Sequence, residues 1–254
     1  MGKVLAVANQ KGGVGKTTTV VNLAACLSAL GRRVLAVDAD PQGHCTAGLG
    51  IEKRLVRASL YDVLVGGVDV ATVTLASRWG PEVVPATVDL AGAEVELVGA
   101  EEREARLARA VEEIRGGYDV ILVDCPPSLG LLTLNALAAA EGVLVPIQCE
   151  YYALEGLSQL VRTLQLVKRT FNPGLYIEGV VLTMYDARTN LSAQVAAEVK
   201  KYFREKVFHT VIPRSVRLSE APSYGKPITW YDPRSRAAES YMELAKEVLV
   251  RVDG

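Results

Sequence analysis

The chain has 254 residues, half of them hydrophobic, and a formal net charge of −1. Mean hydropathy is +0.20 and no long polar stretch resists packing, which excludes a disordered or low-complexity chain and favours a single domain over residues 1–254. The near-neutral charge excludes bulk attraction to nucleic acid, although the charge is unevenly spread.

In chain order, VLAVA (Val4 to Ala8) reads as a strand that starts without a charged leader or cleavage site, so export is not expected. The glycine-rich turn GGVGKTT follows. TTTVVNLAACLSALG then forms a helix with Val20, Val21, Ala24, Leu27 and Leu30 on one face and Gly31 as its C-cap. RVLAVD (33–38) is a second strand. Between Arg54 and Gly99 the pattern weakens, and only VVP (83–85) reads as extended. EEREARLARAVEEIR (101–115) is a helix with Leu107, Val111 and Ile114 inward, and YDVILVD (118–124) is a strand. The most apolar region, Leu131 to Ile147, is interrupted by Asn135, Glu141, Gly142 and Pro146 before it could span a bilayer. It predicts a buried helix followed by a buried strand.

IEGVVLTM (177–184) is a further strand, and EVKKYFREKVF (198–208) reads as a helix with a solvated face. The final helix, AESYMELAKEVLVRV, carries an apolar stripe of Tyr241, Leu244, Ala245, Val248 and Val252. Its polar face is mostly acidic, whereas a helix lying on a membrane needs a basic one. Strands alternating with helices predict an α/β fold, a mostly parallel twisted sheet with helices on both faces. The four cysteines are widely spaced with no CxxC, the pattern of reduced, structural thiols.

The chemistry is concentrated in three segments. Gly12 to Thr18 lies between a strand and a helix, where a phosphate-binding loop belongs. Gly12, Gly13 and Gly15 let backbone N–H groups point into one concavity, at a helix N-terminus that favours anions. Lys16 is placed for the β- and γ-phosphates, the Thr17 hydroxyl for Mg²⁺, and Thr18 completes the loop. YDVILVDCPP ends a strand in Asp124, the acidic Mg²⁺ partner such a loop requires. VLAVDADPQG ends another in Asp38 and Asp40, two carboxylates one residue apart that project to the same side of an extended strand. Asp38 suits the outer Mg²⁺ shell and Asp40 the orientation of a water, unless either merely caps the strand. Lys11, earlier in the loop, is superfluous for one phosphate chain. It is either a surface lysine or a cation for a second subunit.

KGGVGKTT with its early lysine, VDADPQG and VDCPPSLG, in this order, resemble the deviant Walker A P-loop NTPases of the ParA/Soj/MinD group. EYYALEG (150–156), LTMYDARTNL (182–191) and IPRSVRLSEAPSYGKPITWYDPRSRAAESY (212–241) are similar to ParA/Soj chromosome-partitioning proteins, and the likeness covers nearly the whole chain. The resemblance implies slow, partner-stimulated ATP hydrolysis with ATP and Mg²⁺ as cofactors. It also implies an ATP-dependent homodimer in which Lys11 reaches the facing subunit's nucleotide and Gly12 permits close approach. Lys11, Lys16 and Asp40 are then the catalytic residues, Thr17, Asp38 and Asp124 hold the metal, and Pro213 and Arg214 flank the adenine. A ParB-type protein is the implied partner, and the location is cytoplasmic, on the nucleoid. His44 departs from the family, which usually has Asn there, so no role is carried over to it.

Between Arg188 and Arg236 ten bases face four acids, a local +6 that leaves −7 on the remainder. With the resemblance this implies binding to double-stranded DNA without sequence preference, with Arg188 and Arg217 on positions the family uses for DNA. Each also has a local acid to pair with, Asp186 and Glu220. No helix-turn-helix or zinc finger is present to read bases. A MinD-like, membrane-cycling regulator is the alternative, and the acidic final helix counts against it. An iron–sulfur carrier on the same fold would rest on Cys125 alone.

Overall fold

The computed structural model describes residues 2–150 and 153–253; Tyr151 and Tyr152 of the EYYALEG stretch lie outside them. Among the described residues eight strands share one sheet: β1 (Lys3–Val7), β2 (Val34–Asp38), β3 (Leu75–Ala76), β4 (Glu82–Val84), β5 (Val120–Asp124), β6 (Gly142–Gln148), β7 (Tyr176–Tyr185) and β8 (Val207–Pro213). Their order is β3-β4-β2-β5-β1-β6-β7-β8. Every neighbouring pair is parallel except β3 with β4, at the edge. A parallel sheet is buried on both faces, so its strands read as continuous apolar runs. In β1 the alternation is literal: Val4 and Ala6 join one core, Leu5 and Val7 the other.

The helices are α1 (Lys16–Ala29), α2 (His44–Gly48), α3 (Leu60–Leu64), α4 (Val70–Val73), α5 (Leu90–Glu96), α6 (Arg106–Ile114), α7 (Leu131–Ala139), α8 (Ala153–Thr170), α9 (Asn190–Phe203), α10 (Val216–Glu220), α11 (Ile228–Tyr231) and α12 (Arg236–Asp253). One face of the sheet is covered by α1 and α12, through Leu23 and Leu27 and through Tyr241, Leu244 and Val248. The other is covered by α6, α7, α8 and α9, through Leu107, Leu137, Leu164 and Val199. The chain lays β2 to β5 on one side of β1, with β5 returning to pair with β1, and then β6 to β8 on the other. The strand order therefore reverses at the carboxyl end of β1, where ligands bind in open α/β sheets.

The sequence patterns and the structure part at a few places. The helix read over 198–208 stops at Phe203; Arg204 turns left-handed at φ 49, and Val207 and Phe208 open β8. An apolar pair at such a boundary fits either period, and burial of both side chains decides for the strand. Pro213 is the last residue of β8. Leu30, expected on the inward face, is 37% exposed. Its helix ends at Ala29, and the Gly31 and Arg32 N–H groups donate to Ser28 O and Leu27 O, a cap that turns the chain outward. The helix read over 101–115 starts only at Arg106, after a short 3₁₀ turn. The weak stretch 54–99 holds three short helices, β3 and β4, with Ser59 and Asp69 capping two of the helices.

Candidate nucleotide-binding site

Local sequence sets the shape of the loop after β1. Gly13 and Gly15 adopt φ 74 and 91, a left-handed backbone that side-chain-bearing residues rarely adopt. Three side chains then fix it in place. Asn9 donates through Nδ2 to Pro146 O at 2.7 Å, and its Oδ1 accepts from the Lys11 N–H at 3.1 Å. The Thr183 hydroxyl, from β7, donates to Val14 O at 2.8 Å. Lys16, the first residue of α1, is only 7% exposed and its Nζ donates to Lys11 O at 3.2 Å. Burial lowers its pKa, while Asp124, Cys125 and Asp40 act in the opposite sense.

Around Lys16 stand the predicted carboxylates, brought together because β2 and β5 are neighbours with Asp38 and Asp124 in register. Asp38 is fully buried and well partnered: its Oδ2 accepts from the Thr46 N–H and hydroxyl, both at 2.7 Å, and its Oδ1 from the Asp40 N–H at 3.2 Å. Burial still pushes its pKa up, to about 6, against those hydrogen bonds. Asp40, at the turn after β2, accepts from the Gln42 N–H at 2.9 Å. Asp124 differs, since both of its carboxylate oxygens are buried with no hydrogen-bond partner. Burial first, then the charge of Asp38, raises its pKa well above the ordinary carboxylate range; the Thr17 hydroxyl opposes this without reaching hydrogen-bonding geometry.

A buried carboxylate with unmade bonds, two more acids nearby and a flanking hydroxyl are the donor set of a small hard cation. Among the described residues no three His, Cys, Asp or Glu side chains form a closed metal cage. Mg²⁺ takes one or two protein carboxylates and fills the rest of its shell with phosphate oxygens and water.

Beside the loop lies a cavity of about 390 Å³, lined by Gly15, Thr18, Met184, Pro213, Arg214 and Tyr241 among others. The structure thus brings Pro213 and Arg214 to the same site as the loop, from two hundred residues away. Lys11 sits half-buried at the rim, and Gly12 and Gly13 are exposed. Arg188 and Arg217 do not line this cavity. Arg188 holds Asp186 through two contacts, at 2.9 and 2.7 Å, with its side chain 87% exposed, and Arg217 donates to Glu220 at 3.0 Å. His44 is an exposed residue at the start of α2.

Residues the sequence gave no sign of are Thr46, Thr183 and Asn22. Asn22 donates to Thr18 O at 2.7 Å and accepts from the Ile228 N–H at 2.6 Å, tying the loop's helix to α11. Thr183 and Asn22 each reach a partner distant in sequence, and Thr46, besides holding Asp38, accepts from the Ala86 N–H at 3.0 Å, so no local spacing announces them.

The AAA domain family matches residues 2–177. Over 249 residues the chain is 63% identical to the sporulation initiation inhibitor protein Soj of Bacillus subtilis, covering 98% of each chain. It is 53% identical over 252 residues to the chromosome partitioning protein ParA of Caulobacter vibrioides (strain NA1000 / CB15N), covering 98% of this chain and 94% of that one. The chain belongs to the Soj/ParA family of chromosome-partitioning ATPases. The Soj/ParA fold also matches a crystal structure of a cobyrinic acid a,c-diamide synthase from Mycobacterium smegmatis, which holds ADP and magnesium. The TM-score is 0.89 at 41% identity, covering 100% of this chain and 96% of that one. The resemblance to deviant Walker A ATPases and the parallel α/β architecture are both borne out.

Proposed function

We propose that this Soj/ParA ATPase, a single domain over residues 1–254, is an ATP-dependent dimerising switch that binds DNA without sequence preference and partitions a replicon with a ParB-type partner. One observation carries the reading: the two lysines of the loop have different settings. Lys16 is buried among carboxylates, whereas Lys11 stays at the rim beside exposed Gly12, where an added Cβ meets nothing within 4 Å. One cation serves the subunit's own phosphates and the other is left for a facing subunit.

In this reading the loop N–H groups and Lys16 bind the ATP phosphates, and Pro213 and Arg214 flank the adenine. Thr17 and Asp124 hold Mg²⁺, with Asp38 behind them kept in place by Thr46. Bound Mg²⁺ supplies neutralisation of the phosphate charge during transfer. Asp40 orients the attacking water, and Lys11 adds positive charge to the partner's site as charge develops there. Dimerisation doubles the basic surface that carries Arg188 and Arg217, so DNA affinity follows the nucleotide. Tyr241, Leu244, Ala245 and Val248 of the α12 stripe are buried in the core, which favours a cytoplasmic protein on the nucleoid over a membrane-lying helix.

The test is binding to a random-sequence duplex at two salt concentrations, with ATP, ADP or no nucleotide, beside Lys16→Ala. Tight, salt-sensitive binding with ATP alone, lost in the variant, is expected. Absence of binding in every state would overturn the DNA reading.

A further inference from the structure

Asp40, to which the attacking water is assigned, sits on a turn whose bonds are almost all local. Asp40, Pro41, Gln42 and Gly43 form a tight-turn sequence in which proline presets the second position. The Gly43 N–H closes the turn on Asp40 O at 2.9 Å, and the Gln42 N–H donates to Asp40 Oδ1, also at 2.9 Å. The Gln42 backbone thus aims the carboxylate, engaging one oxygen and leaving the other for a water.

On the core side the turn runs into a buried network. Gly43 leads into α2, whose Thr46 hydroxyl donates to Asp38 Oδ2 at 2.7 Å and accepts from the Ala86 N–H at 3.0 Å. On the solvent side a single side chain reaches it. Lys53, from the short 3₁₀ turn Lys53–Leu55, donates through Nζ to Gln42 O at 2.8 Å. Among the described residues this is the only side-chain hydrogen bond to the turn from beyond residue 47. Gly43 makes the contact possible. It is buried and left-handed at φ 62, and a Cβ there would lie 2.7 Å from Lys53 Cδ and 2.8 Å from Ala86 O. The bare glycine lets the apolar stem of Lys53 lie across it, opposite the Ala86 backbone. A packed stem holds the ammonium in place with a smaller loss of rotamer freedom than ordering a free surface lysine would entail.

We propose that Lys53 is a positioning residue for ATP hydrolysis: its ammonium clamps the Gln42 carbonyl and, through that residue's backbone, keeps the Asp40 carboxylate aimed at the water. The inference rests on the assignment of the water to Asp40 and adds to it a residue outside the strand-end motif. One exposed hydrogen bond adds little to the stability of the fold. A reacting group displaced by about 1 Å, in contrast, can cost about 100-fold in rate, so the effect of the clamp falls on turnover.

The experiment measures Mg²⁺-dependent ATP hydrolysis and ATP half-saturation for the parent, Lys53→Ala, Lys53→Met and Lys53→Arg, with Lys53→Ala repeated in an Asp40→Ala background. Lys53→Ala and Lys53→Met are both expected to lower turnover about tenfold, with half-saturation and melting temperature as in the parent. Methionine keeps an apolar stem over Gly43, so equal losses place the effect in the ammonium. Lys53→Arg, which restores a donor, recovers most of the rate. In the Asp40→Ala background Lys53→Ala causes no further loss, because two changes that act through one group do not add. Parental turnover in Lys53→Ala or Lys53→Met, no recovery in Lys53→Arg, or a loss that adds in full to that of Asp40→Ala would overturn the clamp while leaving Asp40 in its role. A change in half-saturation alone would do the same. Parental turnover in Asp40→Ala itself would overturn both the clamp and the reading on which it rests.

Discussion

Asp124 is a carboxylate placed at a cost. Its oxygens are buried and unpartnered beside Asp38, and an unmade bond of this kind costs a folded protein about 1–3 kcal/mol. Replacing it with Asn removes the charge while keeping the shape. Asp124→Asn leaves polar atoms there but removes the repulsion from Asp38, so it is expected to leave the nucleotide-free, Mg²⁺-free protein at least as stable as the parent in urea unfolding, and at the same time to abolish Mg²⁺-dependent ATP turnover. A destabilised variant would mean that Asp124 has a structural partner after all. Asp40 is different, since it lies at a turn and its carboxylate accepts one local hydrogen bond, from the Gln42 N–H. Asp40→Ala should lower ATP turnover at least about 100-fold, the usual contribution of a group that positions or deprotonates a nucleophile. The ATP-dependent dimer should persist on gel filtration. Parental turnover in that variant would remove Asp40 from the catalytic set.

The loop after β1 depends on its neighbours as much as on its glycines. Asn9 fastens it to β6 and Thr183 to β7, so the phosphate cradle is pinned to three strands at the point where the sheet order reverses. The opposite end of the same sheet shows how closely the covering layer fits. A Cβ on Gly179 of β7 would overlap the ring of Phe208, which is itself stacked under the Arg251 guanidinium from α12 at 4.0 Å. Gly179→Ala is expected to cost about 1–3 kcal/mol through overpacking, seen as a lower melting temperature. Nucleotide affinity of the folded fraction should be unchanged, because the site lies at the other end of the strands. An unshifted melting temperature would show that Phe208 and α12 move aside at no cost. At the same scale, the misplaced end of α9 has a simple cause: Val207 and Phe208 suit helix and strand equally until the burial of β8 chooses.

For the molecule as a whole, the four cysteines report on the tightness of the two cores. All are free and buried, and burial pushes Cys149 up to about 11, Cys26 up to about 12 and Cys45 and Cys125 well above the usual thiol range. The thiolate is the reactive form, so at pH 8 the native protein should resist a disulfide reagent and release all four equivalents only when unfolded. Rapid labelling of the native state would show that one core opens. Of the site, what lies consecutively in the chain was legible: the glycine loop with Lys16 and Thr17, and strands ending in Asp38, Asp40 and Asp124. Periodicity likewise gave the alternation of strands and helices, since periods of two and 3.6 are local properties of the chain. Hidden from it were the contacts that span the fold. That Asp38 and unpartnered Asp124 stand side by side follows from β2 and β5 being neighbours, and the cavity beside the loop exists because β7 and β8 deliver Met184, Pro213 and Arg214 to α1. The sequence by itself determined the α/β class and the nucleotide loop, because both are written in adjacent residues. Only the tertiary structure decided which carboxylate is left free for a cation and which distant residues line the cavity beside the loop, because those depend on side chains that meet through the packing of the sheet.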